Sequence, residues 1–532
     1  MSTVDFTLYD LIARNAAVYA DREALIGSGE RLTFAAFLNR CAENAAALRA
    51  AGLGAGERIA LLAGNELSFL CLCGAAAGLG AMVVPVNWRL GGEEIAYILN
   101  DTTPRFLFCG ADFRELARQA AAGVPSLERR FLLRGSGRRD DIAEGGTGAE
   151  DSENGDFQPW PAVGVVGDEK AVSGGGATWP PMPAGSGADP FLIIHTAAVG
   201  GRPRGCVLSQ DNLMAAAAQL VTLFRLESRD AYVGVLPLFH IGGLAMTLAT
   251  MLAGGKNILT PRFEPPEVLR LAADEGGTCL MTFPPMLSAL LDAEEQGRGN
   301  AAGLRLVGGV DAPATIERFL QRHPRAAFFS IYGQTEAMPV SGGDYRERPG
   351  SVGRPAALTR VAVCNDLEEE VPPGTPGEIC VRSPAVFQGY WNLAQEAAVA
   401  ARSGWHHTGD LGRWDAEGFL WYAGRKPEKE LIKTGGENVY PVEVEQTILA
   451  HAAVAEVCVF GVPDPEWGET VRAVCVLKEG AAVSEEELGK FVADRIARYK
   501  KPKTVVFAPA LPKTPAGNID REAVKKTWGG ES

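Results

Sequence analysis

The chain has 532 residues, 46% of them hydrophobic and 22% charged, with a formal net charge of −14 and a mean hydropathy of +0.01. That length calls for two to four domains or subdomains around separate cores, with the composition of a soluble globular protein. The acidic balance excludes a general nucleic-acid binder, because phosphate backbones need clustered Lys and Arg; small phosphorylated ligands, held by a few local donors, stay open.

Helical and strand-like segments alternate from the N-terminus to about residue 350. Glu43 to Ala51 is Ala-rich and reads as helix, and Arg58 to Leu62 as a short strand. Phe69 to Val86 carries no charged side chain and approaches the length of a membrane span. Gly78 and Gly80 divide it into a small-residue helix and the strand Met82 to Val86, the pattern of a buried parallel sheet. Arg105 to Cys109 adds another strand. This alternation predicts an α/β fold of parallel sheets covered by helices.

About 135–189 is rich in Gly and Pro and poor in core-forming residues, so it reads as a flexible surface insertion. After about 350 the texture turns to short strands, with Val361 and Val363 alternating, a turn at Pro372 to Gly374, and a strand at Glu378 to Val381. That marks a small β-rich subdomain at about 350–424. A further α/β unit follows, with a helix at about 484–496 opened by a capping box of Ser484 and Glu487. The expected division is 1–429 for a large domain and 430–532 for a small mobile α+β domain.

The ten cysteines lie mostly in apolar runs, and only Cys71 and Cys73 are close together. No second pair gives zinc-ligand spacing, so they read as reduced core residues. Met1 to Phe6 lacks the basic start and apolar block of an export signal. The expectation is a cytoplasmic protein without a transmembrane segment.

Five stretches carry chemistry. Ile194 to Gly205 is a strand running into a Gly-rich basic turn; its backbone N–H groups and a cation suit phosphates, although a purely structural turn fits the residues equally well. Gly-Lys-Ser/Thr is absent, so it is not a Walker loop. Ser330 to Glu336 sets the hydroxyl of Thr335 beside the Glu336 carboxylate, hard oxygens that suit phosphate and Mg²⁺ together; on its own, Glu336 reads as a solvated loop acid. Asp410 closes Gly404 to Asp410, where a carboxylate after Gly could accept two hydroxyl hydrogen bonds or simply cap a turn. Arg425 precedes the segment Lys429 to Pro441, in which Gly435 and Gly436 allow close approach of a thin ligand. Leu511 to Arg521 is the fifth.

In order and spacing these stretches resemble the adenylate-forming superfamily of acyl-CoA synthetases, luciferases and peptide-synthetase adenylation domains, over nearly the whole chain. The first is similar to the phosphate loop Thr-Ser-Gly-Thr-Thr-Gly-x-Pro-Lys-Gly: Thr196, Gly201, Pro203 and Gly205 match, Arg204 stands for the Lys, and residues 197–200 replace Ser, Gly, Thr and Thr. The resemblance implies that Tyr332 packs on adenine, Thr335 contacts phosphate, Glu336 supports Mg²⁺, Asp410 holds the ribose diol, and Arg425 approaches ribose and phosphate. It makes Glu430 the hinge of the C-terminal domain, and it lines a pantetheine tunnel with Gly435 and Gly436. Asn518 occupies the place of a Lys that neutralises the α-phosphate; Lys513, Arg204 and Arg202 are candidate substitutes. His240 matches a residue gating the acyl pocket, with simple packing beside Phe239 the other reading. Gly308, Gly309 and Met338 fall near the acyl and nucleotide pockets, with Val310, Ala337 and Pro339 adding small or apolar surface.

The expected function is therefore an AMP-forming carboxylate–CoA ligase using ATP, Mg²⁺ and coenzyme A on an apolar aliphatic, alicyclic or aromatic acid. The alternatives are a non-catalytic nucleotide- or acyl-CoA-binding relative, and a discrete adenylation enzyme that loads a carrier protein. Expected partners are these small molecules, with no nucleic acid; a homodimer is one option for the assembly.

Overall fold

The computed structural model describes residues 6–133, 157–160, 185–196, 203–426, 430–514 and 519–530. Most of the expected insertion at 135–189, and Asn518, lie outside the described residues. The fold is α/β: two large, mainly parallel sheets with helices, a small antiparallel sheet, and a separate sheet built from residues after Ile432.

One large sheet has eight strands, with Pro190–Thr196, Met82–Pro85, Arg58–Leu62 and Phe106–Cys109 at its centre. The other has nine, running from Arg354–Pro355 through Ala337–Asp344, Ala327–Gln334, Leu306–Gly309, Cys279–Thr282, Ala231–Gly234 and Lys256–Leu259 to Glu23–Gly27 and Glu30–Thr33. Apolar residues of both sheets and of the helices Leu8–Val18, Phe34–Ala50, Leu67–Leu79 and Ile241–Leu252 belong to one core. Helix Leu67–Leu79 is buried on nearly every side. It ends at Gly80, which takes a left-handed conformation (φ 67°) before strand Met82–Pro85. The long apolar run is thus a buried helix followed by a buried strand, as expected, and among the described residues no helix is long and apolar enough to cross a membrane.

The strand at Arg58–Leu62 and the capping box of Ser484 and Glu487 occur as expected. The helix expected at 43–51 extends back to Phe34, because Thr33 accepts the Ala36 N–H and caps it there. All ten cysteines are buried free thiols.

The parallel strands of the nine-stranded sheet deliver the site. Their C-terminal ends, Gly234, Thr282 and Gly309, lead into the loops of His240, Phe283 and Val310, the crevice in which open α/β sheets bind ligands. The small antiparallel sheet (Arg360–Cys364, Gly377–Arg382, Trp405–Trp414, Leu420–Arg425) supplies Asp410 and Arg425.

The C-terminal sheet is joined to the rest through buried charge. Lys500 is 1% exposed; its Nζ lies 2.5 Å from Glu94 and 2.7 Å from Glu443. Glu94, on helix Gly92–Thr102, also accepts the Ala497 N–H at 3.0 Å. Burial lowers the Lys500 ammonium, but the two carboxylates more than offset it and hold its pKa above the ordinary lysine value. Lys500→Ala leaves two carboxylates facing each other without a cation. We expect a loss of about 3–5 kcal/mol of stability, as for a broken buried ion pair, measured by urea unfolding. A loss under about 1 kcal/mol would show that the cluster acts like an exposed one.

Candidate active site

Asp410 is 1% exposed. Its Oδ2 accepts hydrogen bonds from the Tyr332 hydroxyl at 2.7 Å and from Gln334 Nε2 at 2.6 Å. Its Oδ1 lies 2.7 Å from Arg425 Nε, without the alignment of a hydrogen bond; that contact is charge against charge. Strands Trp405–Trp414 and Leu420–Arg425 form a hairpin in which Asp410 and Arg425 are opposite partners. The turn sets the register of Gly412 to Trp414, where Asp415 accepts the N–H groups of Glu417 and Phe419 and Gly418 adopts φ 78°; a one-residue shift at Ala423 then brings Asp410 opposite Arg425. Burial lowers the Arg425 guanidinium, and Asp410 more than offsets it, so Arg425 stays charged. Burial and the Asp410 carboxylate push the Tyr332 phenol well up, keeping it a neutral donor.

Tyr332, Thr335 and Glu336 sit at the tip of the hairpin formed by Ala327–Gln334 and Ala337–Asp344. Glu336 is 9% exposed, so the solvated-acid reading of this residue is wrong. Its Oε1 accepts the Tyr390 hydroxyl at 2.8 Å, and its backbone carbonyl accepts the Phe387 N–H. Arg204 stacks on the Tyr390 ring, 4.3 Å from the centroid. Strand Pro190–Thr196 pairs with Arg204–Ser209, placing Thr196 opposite Arg204 at the mouth of the basic turn; residues 197–202 lie outside the described residues. Among the described residues Glu336 makes no ion pair, so its free lone pairs beside Thr335 fit a hard divalent cation.

The glycines at the strand end have steric reasons. A Cβ on Gly309, at φ 144°, would lie 1.9 Å from the Thr282 carbonyl oxygen, and one on Gly308 would lie 2.6 Å from Met281 Sδ. Met338 lies on strand Ala337–Asp344, two strands over, buried near Gly333. The loop before His240 is held by Asn65, whose amide donates to the carbonyls of Gly234 and Leu236 and accepts the Leu238 N–H. The His240 ring lies tilted against Phe239, 4.5 Å between centroids, and places Nε2 3.3 Å from Glu437 Oε1.

Glu437, at 5% exposure, also pairs with Arg89 and accepts from Asn87. Burial pushes its carboxyl up, but His240 and Arg89 bring it down to about 2. The Gly435–Gly436 turn is thereby set against Phe283: a Cβ on Gly436 would lie 3.5 Å from Phe283 Cβ, and one on Gly435 would meet the Trp467 ring at 2.7 Å. Both glycines have positive φ.

Lys433 stands with Nζ 5.7 Å from the centroid of the Tyr422 ring. It is exposed, while desolvation and the neighbouring Arg425 lower its pKa, with Asp410 opposing. Lys513 is bound by Glu456 at 2.6 Å, and Glu430 by Arg521 and Lys525. Sequence reading missed Gln334, Lys433, Glu437, Arg89 and Tyr390 as site residues. Three of them lie inside motifs already singled out; Arg89 and Tyr390 join the site only through tertiary packing.

The sequence profile described as "AMP-binding enzyme" matches residues 12–391, and that of the "AMP-binding enzyme C-terminal domain" matches residues 443–518. The chain is 32% identical over 526 residues to indoleacetate–CoA ligase of Aromatoleum aromaticum, covering 98% of both chains. It is 33% identical over 524 residues to feruloyl-CoA synthase of an Amycolatopsis species, covering 97% of this chain and 98% of that one. Among solved structures, a double mutant of o-succinylbenzoate CoA synthetase from Bacillus subtilis bound with a product analogue superposes with a TM-score of 0.80 at 25% identity, covering 98% of this chain and 99% of that one. With these matches spanning both sheets of the cleft and the C-terminal unit, the chain belongs to the AMP-binding enzyme family, within the adenylate-forming superfamily.

Proposed function

We propose that this protein is an AMP-forming carboxylate–CoA ligase acting on an apolar aromatic or aliphatic acid. The observation that carries the reading is the buried Asp410 carboxylate, held by Tyr332, Gln334 and Arg425 at the same cleft as Glu336. Asp410 would accept the ribose hydroxyls, with Tyr332 as the adenine wall and Gly309 giving close backbone approach. Relatives named for indoleacetate, ferulate and long-chain fatty acids support an apolar acid.

A carboxylate is a poor acyl donor because oxide is a poor leaving group. Attack of the acid's carboxylate oxygen on the α-phosphorus of ATP forms acyl-AMP and expels pyrophosphate. The sulfur of coenzyme A then attacks the acyl carbon and AMP leaves. Catalysis of the first step is chiefly stabilisation of charge on phosphate. Arg204 with Thr196 would face the phosphates. Thr335 and Glu336 would hold Mg²⁺, which when bound neutralises phosphate charge. Asn518 brings no charge to the α-phosphate, and Lys433, beside Asp410 and Arg425, is the cation best placed to compensate. Lys513 is the weaker substitute, since Glu456 already neutralises it.

His240 and Met338 border the acyl side, while Gly435 and Gly436 form the thin wall along which pantetheine would pass. A carrier-protein partner is less favoured, because the first two relatives compared are CoA-using enzymes matched end to end. We place the unit boundary at 430. Glu430, tied to Arg521 and Lys525, would anchor the turning C-terminal unit on its own helix Arg521–Trp528.

Incubation with ATP, Mg²⁺, coenzyme A and a panel containing indole-3-acetate, ferulate and medium- and long-chain fatty acids should release AMP and acyl-CoA with at least one acid. Release of ADP through an acyl phosphate would refute the mechanism. Asp410→Ala should weaken AMP binding by about 2–3 kcal/mol, the range of charge-assisted hydrogen bonds; unchanged affinity by isothermal titration would remove Asp410 from the site. Asn518→Lys should raise acid-dependent pyrophosphate–ATP exchange by roughly tenfold, about 1.4 kcal/mol, and leave thioester formation from synthetic acyl-adenylate little changed. An equal rise in both half-reactions would contradict the turning of the C-terminal unit.

A further inference from the structure

We propose that Glu378 is a positioning residue for nucleotide binding: it holds open the β-bulge that aims Asp410 into the cleft. This rests on the reading of Asp410 as the ribose carboxylate. Strands Gly377–Arg382 and Trp405–Trp414 pair Glu378 with Leu411 and Cys380 with His407. Only Ile379 stands between the pairs on one strand, but Thr408, Gly409 and Asp410 stand between them on the other. The surplus residues form an irregular bulge, a device that re-aims a side chain and leaves ladder groups without their partners.

Each group freed by the bulge finds a substitute. The Gly409 N–H donates to Glu378 Oε1 at 2.9 Å, and the Gly409 carbonyl accepts the Lys426 N–H at 3.0 Å. The Asp410 N–H donates to Thr408 Oγ1 at 3.0 Å, while that hydroxyl donates to the Ile379 carbonyl at 2.7 Å. Gly409 sits at φ 72°, which its lack of a Cβ permits. Glu378 is 5% exposed, and its Oε2 lies 3.1 Å from Lys426 Nζ, 3.2 Å from His407 Nδ1 and 3.4 Å from Arg402 Nη2. Burial pushes the carboxyl up, but His407, Lys426 and the Gly409 N–H hold it below the ordinary glutamate value.

The donor atoms of Glu378, Cys380 and His407 lie within 4.8 Å of one another, close enough for a metal ion. Lys426 and Arg402 already bring positive charge to the only carboxylate of that group, and burial pushes the Cys380 thiol far above its ordinary range. A dication there would meet two cations and a neutral thiol. The geometry fits an anchor for the bulge better than a metal site.

The test compares AMP with 2′,3′-dideoxy-AMP, which lacks the hydroxyls that Asp410 would accept, by isothermal titration of the full-length protein. Glu378→Ala should weaken AMP binding about tenfold, and Glu378→Gln, which keeps an acceptor but not the charge, about threefold. Both variants should bind the dideoxy nucleotide within about twofold of the parent protein. Equal weakening for both nucleotides would make Glu378 merely structural and overturn the proposal, as would unchanged AMP affinity in the folded variants. If Glu378→Ala does not fold, the same comparison on Glu378→Gln decides. Asp410→Ala, titrated in parallel, separates the two ideas. If it leaves AMP affinity unchanged, the ribose reading fails and the proposal with it; if it alone loses AMP, only the role of Glu378 fails.

Discussion

Burying a carboxylate without compensation costs several kcal/mol, and Asp410 is a carboxylate almost wholly removed from solvent. The surroundings of the cleft answer that cost with Arg425 across the hairpin and two neutral donors from the neighbouring hairpin. Those donors belong to the nine-stranded sheet, whereas Asp410 and Arg425 belong to the small antiparallel sheet. The compensation therefore also fixes how the two sheets meet. Moving either sheet would leave the carboxylate with part of its partners, so the burial of Asp410 and the packing of the sheets are one constraint.

The same logic operates where the C-terminal unit docks. Lys500 between Glu94 and Glu443, and Glu437 between Arg89 and His240, put buried charge at the junction beside the apolar contact of Gly436 with Phe283. Apolar surface gains nothing in return when it is exposed to water. A charged contact can be exchanged for hydration when the units separate, because ions regain water on exposure. That suits the turning proposed for the C-terminal unit.

How much of this could be read from the sequence depends on range. The strand at Arg58–Leu62, the break at Gly80 and the cap at Ser484 follow from local periodicity and local hydrogen bonding, and they occur where expected. The N-terminal end of helix Phe34–Ala50 was hidden because its cap, Thr33, also ends a strand. Motif positions pointed to Asp410 and Arg425, but their direct pairing depends on a hairpin that turns at Asp415 and Gly418 and then shifts register by one residue at Ala423. Glu336 as a buried residue was illegible for a similar reason: its cover, Tyr390 and Phe387, lies some fifty residues away in sequence. Arg89 and Lys500 carry no local signal either; only the docking of the units makes them partners of Glu437 and Glu94.

The distribution of positive charge gives the cleft its remaining asymmetry. Arg204 is stacked on Tyr390, and Tyr390 donates to Glu336, so cation, ring and carboxylate form one rigid chain at the phosphate end. A Lys in place of Arg204 would present a compact ammonium on a flexible stem, whereas the planar guanidinium can lie on a ring and still offer N–H groups along its edge. Lys433 approaches from the C-terminal unit instead, beside Tyr422, where desolvation and the neighbouring Arg425 lower its pKa. The two cations are thus mounted differently: Arg204 is fixed on a ring, whereas Lys433 is carried on the C-terminal unit, so any movement of that unit shifts one positive charge and leaves the other in place.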